Sequence, residues 1–436
     1  MKKLKWLLAA IAVIFLGVFI VSCNSEPADE TPDPLAALTE EAKDCIECHA
    51  TETVGIVSDW DGTLHAEEAI SCIDCHEVES DSPLALKDVE GHEDVTVAVT
   101  LLIPPSACVE CHEDQVAQFD ASGHYRAHLQ RVPKDGLTAL VHVHEGQNHP
   151  EFSGSPDETG CMQCHGTDIE VDENGYPLTG TWPSAGIGNV YPNGSVGNCT
   201  VCHSRHSFEI SEARKPEACG GCHIGPDHPD VEIYENTKHG QIFAAEGEEW
   251  VWDSAPGEWE PGDYRAPTCA TCHISGIGDL EMTHNITQRL YWNLWAKISK
   301  VRTDADVMSL WYGDGEAGRV EMEAVCDECH GEAHTELYFE IGDRAVQLYN
   351  EAYWEPAEAM RVELADLGLL KENPWKDEFQ ILHYYLWHHD GRRARQGSMM
   401  GGPDWAHWHG FFELQQKLYK MEDIYDKRIE TGEIEG

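Results

Sequence analysis

The sequence predicts a mainly α protein in which an irregular body, built around a repeated cysteine motif, precedes a bundle of long helices. Sixteen of the 17 cysteines form eight Cys-x-x-Cys pairs, and a histidine follows each pair directly. The chain between these motifs is rich in Gly, Pro and Asn. Across residues 175–198 turn signals recur every few residues without a sustained apolar period, so we expect a loop there. Beyond His330 the motifs stop and apolar residues recur at helical spacing.

The motifs predict eight covalently bound c-type haems. In each motif the two thiols add to the vinyl groups of one haem, and the imidazole becomes the proximal ligand of its iron. The cysteine pairs are Cys45 and Cys48, Cys72 and Cys75, Cys108 and Cys111, Cys161 and Cys164, Cys199 and Cys202, Cys219 and Cys222, Cys269 and Cys272, and Cys326 and Cys329. The histidines that follow them are His49, His76, His112, His165, His203, His223, His273 and His330. Structural zinc sites and disulfides are the alternatives, but neither explains a histidine after every pair.

The N-terminus is typical of an exported lipoprotein. Three lysines within the first five residues precede an apolar run over residues 6–21, which is short for a membrane span. Residues 20–23 (IVSC) resemble a bacterial lipobox, so we expect residues 1–22 to be removed as a signal peptide and Cys23 to be lipidated. An ordinary cleaved signal or an uncleaved anchor is the alternative. Export to the periplasmic or cell-surface side of a membrane agrees with haem attachment, which takes place outside the cytoplasm.

The mature chain is expected to have three parts. Residues 23–40 combine the lipidated cysteine with an acidic, proline-rich tether, residues 41–335 form the haem-binding body, and residues 336–436 form the helical region. In the helical region we expect helices over residues 344–354, 357–370, 377–396 and 404–425. Pro356 is placed at a helix start and Asp404 at a cap. An aromatic stripe on the last helix is expected to be core or a subunit interface: Trp405, Trp408, Phe412 and Tyr419.

The charge balance limits the partners of the chain. It holds 79 acidic and 29 basic residues, for a net charge of −50. Such a surface excludes nucleic acid, whose phosphates require a basic face. It favours a basic redox partner that is steered by long-range attraction. A salty habitat, or the need to keep a cofactor-filled body soluble, would also account for the acids.

Several runs between about residues 100 and 415 resemble one known family. They are CTVCHSRHSF at 199–208, ARKPEAC at 213–219, GPDHP at 225–229, KHG at 238–240, APTCATCH at 266–273, THN at 283–285 and HHDGRRAR at 388–395. These runs, in register with several haem motifs, are similar to octahaem hydroxylamine oxidoreductases. The resemblance implies that the fourth haem, on Cys161 and Cys164 with His165, keeps an open distal face for a small inorganic nitrogen compound.

The resemblance also assigns residues to that face. It places Asp227 and His228 over the open haem, where an imidazole and a carboxylate suit multi-electron chemistry that moves at least one proton per electron. Its pocket tyrosine is assigned here to Tyr291. The alternative for His228 is a distal ligand to another haem.

The other seven haems are implied to carry two axial histidines each. The 25 histidines are more than enough for this, so their number does not show whether any iron keeps an open face. Three distal candidates lie in family-like motifs: His206, His239 and His284. Three more are chosen by position alone: His65, His92 and His124.

One departure from the family bears on the direction of the reaction. Oxidising members carry a tyrosine, donated by a neighbouring subunit of a trimer, that is bonded to the catalytic haem. The corresponding run here is MMGGPDWAHWHG at residues 399–410, with Trp405 at the tyrosine position and no phenol to form the bond. Tyr419 and Tyr425 lie far along the chain from that position. The resemblance then implies reduction of nitrite or hydroxylamine to ammonium, fed by a redox protein or a quinol-linked donor, with hydroxylamine oxidation or a purely electron-conducting role as alternatives.

Overall fold

The structure is a computed structural model that describes residues 34–130, 162–226, 228–290 and 315–434. It divides into two compact units between Cys72 and Ile73. The expected signal peptide, Cys23, Cys161, Asp227 and Tyr291 lie outside the described residues. In the part of the chain that is described, no helix has the length and apolar composition needed to cross a bilayer.

The first unit is a small helical element that carries the first motif. Its helices are α1 (Glu40–Glu52), α2 (Val54–Trp60) and α3 (Leu64–Glu67), after a 3-10 turn at Pro34–Ala37. The Thr39 hydroxyl accepts from Ala42 N at 3.2 Å and starts α1, and two glutamates follow in its first turn. Thr63 starts α3 in the same way, accepting from Ala66 N at 3.1 Å. The motif of Cys45 thus lies on a well-capped helix.

The second unit begins with short elements joined by long loops. Its short helices are α4 (Cys72–His76), α5 (Glu113–Asp120), α6 (Ala127–Gln130), α7 (Met162–His165), α8 (Ile210–Arg214), α9 (Glu217–Gly220), α10 (Asp230–Asn236), α11 (Lys238–Glu246) and α12 (Cys269–His273). Strands β1 (Glu77–Val78) and β2 (Ala98–Val99) pair antiparallel. Residues 175–198 contain only isolated bridges, which confirms the expected loop.

Longer helices start at Gly315. They are α13 (Gly315–Asp327), α14 (Glu332–Tyr349), α15 (Glu355–Asp366), α16 (Glu378–Tyr385), α17 (Gly391–Met400), α18 (Pro403–Ala406) and α19 (Phe412–Thr431). Their buried core includes Tyr349, Leu364, Phe379, Leu414 and Met421. The predicted mainly α fold with a C-terminal set of helices is therefore confirmed.

One of the predicted breaks between these helices is wrong. Helix α14 does not stop before Pro356 but continues into α15 through a π-helical turn at Asn350–Trp354. A π turn leaves N–H groups without the usual α-helical bond, so Pro356 in the first turn of α15 removes none. Two further π turns, Leu386–Asp390 and His407–Phe411, join α16 to α17 and α18 to α19.

The cap and the stripe expected on the last helix also need correction. The residue before α18 is Gly402, not Asp404, which lies inside the first turn, where a carboxylate is equally favourable. Trp408, Phe412 and Tyr419 are 55%, 42% and 59% exposed, so they are not core. The helix instead buries Leu414, Leu418 and Met421, which lie on its opposite side. The interface alternative for the stripe stays a prediction.

A buried ion pair joins the start of α16 to the end of α19. Asp377 is fully buried, accepts from Phe379 N at 3.0 Å as the cap of α16, and binds both terminal nitrogens of Arg428 at 2.9 and 3.1 Å. It also accepts from Lys371 N at 2.8 Å. Although burial raises it, these hydrogen bonds hold the pKa of Asp377 below its usual range. This one carboxylate ties together three segments of the helical region.

Replacing Asp377 by Ala should destabilise the helical region by about 3–5 kcal/mol, because it leaves the Arg428 guanidinium buried without its counter-charge. The check is the urea midpoint for loss of the helical circular dichroism of the haem-loaded protein. The matched control is Glu340→Gln, which breaks the exposed Arg344–Glu340 pair and should cost less than about 1 kcal/mol. Equal midpoints for the two variants would contradict a structural role for the buried pair.

Candidate haem centres and active site

Each described motif closes a single helical turn. The backbone N–H of the histidine donates to the carbonyl of the first cysteine, at 2.9 Å in His112, 3.1 Å in His203, 3.0 Å in His223 and 2.9 Å in His330. Side chains three and four residues apart lie on one side of such a turn. Both thiols and the imidazole therefore point to the same space, as attachment of one haem requires.

Thiols of different motifs lie against one another. The thiol of Cys108 contacts that of Cys199, which joins the third motif to the fifth. Two further contacts involve the sixth motif: Cys164 touches Cys222, and Cys219 touches Cys269. The sixth motif is thus in direct contact with both the fourth and the seventh.

Three further pairs of thiols lie near one another. They are Cys75 and Cys108, Cys202 and Cys219, and Cys272 and Cys326. They place the second motif beside the third, the fifth beside the sixth, and the seventh beside the eighth. Seven motifs therefore form one connected series in the second unit, and the sixth lies at its junction.

Four motif histidines face a second histidine across a gap. With iron–nitrogen bonds of about 2 Å, as in other imidazole–metal contacts, two imidazoles on opposite faces of one iron have ring centroids about 6 Å apart. The observed centroid distances are 6.3 Å for His76–His206, 6.4 Å for His203–His284, 6.1 Å for His330–His239 and 6.2 Å for His223–His124. By contrast, His334 stacks on His330 at 4.5 Å, too close for a metal between them.

Two distal rings of these pairs have a pKa that suits the same role, although the pKa of the proximal His223 is raised. Burial lowers the pKa of His124 to about 3 and that of His284 to about 4, and it lowers the pKa of the proximal His273 to about 4 as well. At neutral pH these imidazoles are uncharged, which is the form that binds a metal. The centroid distances and the lowered pKa values are both as expected for ligands of haem iron.

A cavity of about 550 Å³ lies between the fifth and sixth motifs. Cys202 and Cys222 line it, and Arg205 and Lys215 place positive charge on its wall. Its volume is in the range that bound cofactors fill. Glu212 and Glu217 line it as well, so the wall carries both signs of charge.

The loop that carries His228 is held by the C-terminal helices. Arg393 Nε of α17 donates to Pro226 O at 2.7 Å, and Trp405 Nε1 of α18 donates to Glu232 O at 3.2 Å. Glu232 in turn accepts from Gly225 N at 3.2 Å. The backbone on both sides of His228 is thereby fixed by side chains more than 160 residues away in sequence.

The half-buried His228 ring lies 6.1 Å from the ring of His223. Because Cys222 precedes His223 and touches Cys164, the fourth motif and this loop meet at the sixth motif. His223 thus has two histidine neighbours at an axial distance, His124 and His228. Assignment of His228 to the fourth centre therefore stays a prediction.

The other predicted distal ligands lie elsewhere. His65 is on α3 of the first unit, and His92 is in the loop between β1 and β2. Ligation by either stays a prediction, and so do the roles of Asp227 and Tyr291.

No sequence pattern indicated the residues that bind the second nitrogen of the proximal histidines. His223 Nδ1 pairs with Asp230 Oδ2 at 2.8 Å, and Gln396 Nε2 donates to Asp230 Oδ1 at 2.8 Å. Although burial lowers it, the bond to Asp230 raises the pKa of His223 to about 9. The only sequence feature that could have pointed to Asp230 is its position shortly after His228. No sequence feature pointed to Gln396.

Two family comparisons match the motif-rich part of the chain. Residues 186–373 match the family described as seven times multi-haem cytochrome CxxCH, and residues 107–204 match cytochrome c554 and c-prime. The chain is also 32% identical over 244 residues to a probable nitrite reductase-hydroxylamine oxidoreductase fusion protein of Kuenenia stuttgartiensis. That match covers 44% of this chain and 28% of the relative, so the chain spans under a third of that protein.

Two solved structures share the fold. A hypothetical multiheme protein superposes with a TM-score of 0.75 at 22% identity, covering 93% of this chain and 99% of that one. The reducing HAO-like protein complex Kustc0457/Kustc0458 of Kuenenia stuttgartiensis superposes with a TM-score of 0.63 at 18% identity, over 93% and 88% of the chains. At these identities the likeness establishes the fold alone.

Removing a distal histidine should open one iron. In His206→Ala we expect a new high-spin ferric signal by electron paramagnetic resonance, because the iron that His76 binds loses its sixth ligand. The matched control is His334→Ala, whose exposed ring stacks beside a proximal histidine without facing it across a gap. A low-spin spectrum that is identical in His206→Ala and the parent protein would rule out this ligand.

Proposed function

Starting from the multihaem cytochrome c domains of this chain, we propose that it is an eight-haem oxidoreductase that reduces nitrite or hydroxylamine to ammonium. The observation that carries the proposal is the meeting of the fourth motif, the sixth motif and the His228 loop at one place. When bound, the fourth haem would supply an iron that takes the nitrogen compound and electrons to reduce it. The chain supplies the position, the protons and the contacts to neighbouring centres.

The connected motifs support a site that needs several electrons. Reduction of nitrite to ammonium consumes six electrons, and of hydroxylamine two, so reducing equivalents must be held close to the substrate. Cys164 of the fourth motif touches Cys222 of the sixth, which lies at the junction of the series. This arrangement supports a store of electrons beside one reacting centre.

His228 is suited to deliver protons there. It carries an imidazole, the side chain best suited to donate and recover a proton at working pH. The hydrogen bonds from Arg393 to Pro226 O and from Gly225 N to the Glu232 carboxylate fix the loop just before it. A donor whose backbone is fixed keeps the geometry that proton transfer requires. Asp227, its neighbour in the chain, is the carboxylate proposed to orient it.

Trp405 supports the reductive direction. It stands where the oxidising members have a tyrosine, and it lacks the phenol oxygen of that residue. Its indole N–H donates to Glu232 O, its ring lies 5.9 Å from the Arg393 guanidinium, and His409 packs on it at 4.6 Å. The side chain therefore serves to hold the His228 loop.

A purely electron-conducting role is the second candidate. It is favoured by the 6.1 Å separation of His228 and His223, which is also an axial distance. In that case His228 would bind the iron of the sixth motif, and a conducting role would further require a distal ligand at the fourth iron. Hydroxylamine oxidation would require a covalent tyrosine link that Trp405 cannot form.

We also propose that the protein is a lipid-anchored protein outside the cytoplasmic membrane, attached through Cys23. Its net charge of −50 suits a basic redox protein as electron donor, with a quinol-linked donor as the alternative. The exposed aromatic stripe of Trp408, Phe412 and Tyr419 suits contact with other copies of this chain, as in a trimer.

Purified haem-loaded protein, given a strong one-electron reductant and nitrite or hydroxylamine, should form ammonium. His228→Ala should lower kcat by about 10²–10⁴-fold, because it removes the proton donor. His407→Ala, which removes an exposed imidazole of the helical region, should leave the rate unchanged. An inactive parent protein whose haems are all low-spin would establish the conducting role instead.

Mass spectrometry should find no tyrosine peptide bonded to the haem on Cys161 and Cys164. The proteolysed haem peptide should have the mass of haem plus its own segment, since Trp405 has no phenol. A higher mass that maps to Tyr419 or Tyr425 would reverse the proposed direction and turn attention to hydroxylamine oxidation.

A further inference from the structure

Three proximal histidines use their second nitrogen in three different ways. His49 Nδ1 pairs with the Thr53 hydroxyl at 2.8 Å, and His76 Nδ1 pairs with the Thr100 carbonyl at 2.7 Å. His223 Nδ1 pairs with the Asp230 carboxylate at 2.8 Å. When Nε2 binds iron, Nδ1 carries the hydrogen and donates it, so these partners are all acceptors.

The strength of the three acceptors differs. A carboxylate is a stronger acceptor than a carbonyl or a hydroxyl, because it carries a full charge. It draws the Nδ1 hydrogen away from the ring, which makes the imidazole a more basic ligand. A more basic ligand and a nearby negative charge both stabilise ferric over ferrous iron, so both lower the reduction potential.

The bond to His223 is supported from the C-terminal helices. Asp230 starts α10, and its second oxygen accepts from Gln396 Nε2 at 2.8 Å. Gln396 is 3% exposed and lies on α17, so its amide is fixed by packing. The two bonds occupy the two carboxylate oxygens and leave Oδ2 aimed at the imidazole. The carboxylate is therefore held in place by its surroundings.

The bond between His223 and Asp230 matters because of where the sixth motif lies. Thiols of the sixth motif touch those of the fourth and seventh motifs and lie close to those of the fifth. The centre with the carboxylate-bound ligand is therefore the junction of the series, directly beside the fourth motif.

We propose that Asp230, oriented by Gln396, is a positioning residue that lowers the reduction potential of the haem attached through Cys219 and Cys222. The inference rests on the proposed function only in taking the neighbouring fourth centre as the catalytic one. The effect of Asp230 on the sixth haem follows from the hydrogen bonds and from covalent haem attachment, whatever the substrate.

The test is a potentiometric titration of the haem-loaded full chain, followed by optical and electron paramagnetic resonance spectra, without any nitrogen substrate. In Asp230→Asn, which keeps the shape and an acceptor but removes the charge, one low-spin component should titrate at a higher potential than in the parent. The matched control is Glu235→Gln, which removes an exposed acid from the same helix α10. Its titration should overlay that of the parent.

A second variant distinguishes an effect on the reduction potential from an effect on folding. Gln396→Leu leaves the charge of Asp230 but removes its orienting bond, so the same component should rise by less than in Asp230→Asn. Unchanged titrations in both variants would overturn the proposal, and so would an equal rise in Glu235→Gln, which would point to overall charge instead of the bond. Should Asp230→Asn lose haem, the Gln396→Leu titration decides alone. The titration contains no nitrogen substrate, so its result can be interpreted even if the parent protein fails to form ammonium.

Discussion

The hydrogen bond from the motif histidine N–H to the carbonyl of the first cysteine closes one helical turn, for example from His223 to Cys219 at 3.0 Å. That turn places two thiols and an imidazole on one side of the chain, and most of the second unit is arranged around such turns. The elements between them are short, because the chain repeatedly leaves one site to reach the next. Strand pairing is confined to β1 and β2 among the described elements.

The C-terminal helices are stabilised in a different way, and they hold the candidate site through contacts from outside it. Their own packing depends on apolar residues such as Phe379 and Leu414 and on the buried pair of Asp377 and Arg428. From this stable base α17 and α18 extend Arg393, Gln396 and Trp405 to the segment 225–232. One helical region therefore holds both the loop of His228 and the carboxylate of Asp230. The part of the protein without haem motifs thus sets the geometry of the two centres that meet at the sixth motif.

The helix boundaries illustrate a general limit of sequence patterns. The sequence placed Pro356 at a helix start, which is confirmed, and predicted a break between residues 354 and 357. The chain instead continues through a π turn at Asn350–Trp354, whose wider bonding pattern accommodates the proline. The expectation that the aromatic stripe is core was wrong for a related reason. Trp408 and Tyr419 keep helical spacing but lie on the exposed side of the helix. Periodicity identifies a face of a helix, but only the neighbouring elements decide which face is buried.

The sequence by itself determined the chemistry of attachment, because the Cys-x-x-Cys-His spacing is local and one helical turn suffices to express it. It also determined the mainly α class, the loop at 175–198 and the presence of the C-terminal helices. The tertiary structure decided which histidine faces which: His206 lies 130 residues after His76, and no spacing rule connects them. It alone showed that the sixth motif is the junction and that Asp230 and Gln396 stand behind His223. Contacts of this kind join segments that are far apart in the chain, and their energy depends on distances that exist only after the chain has folded.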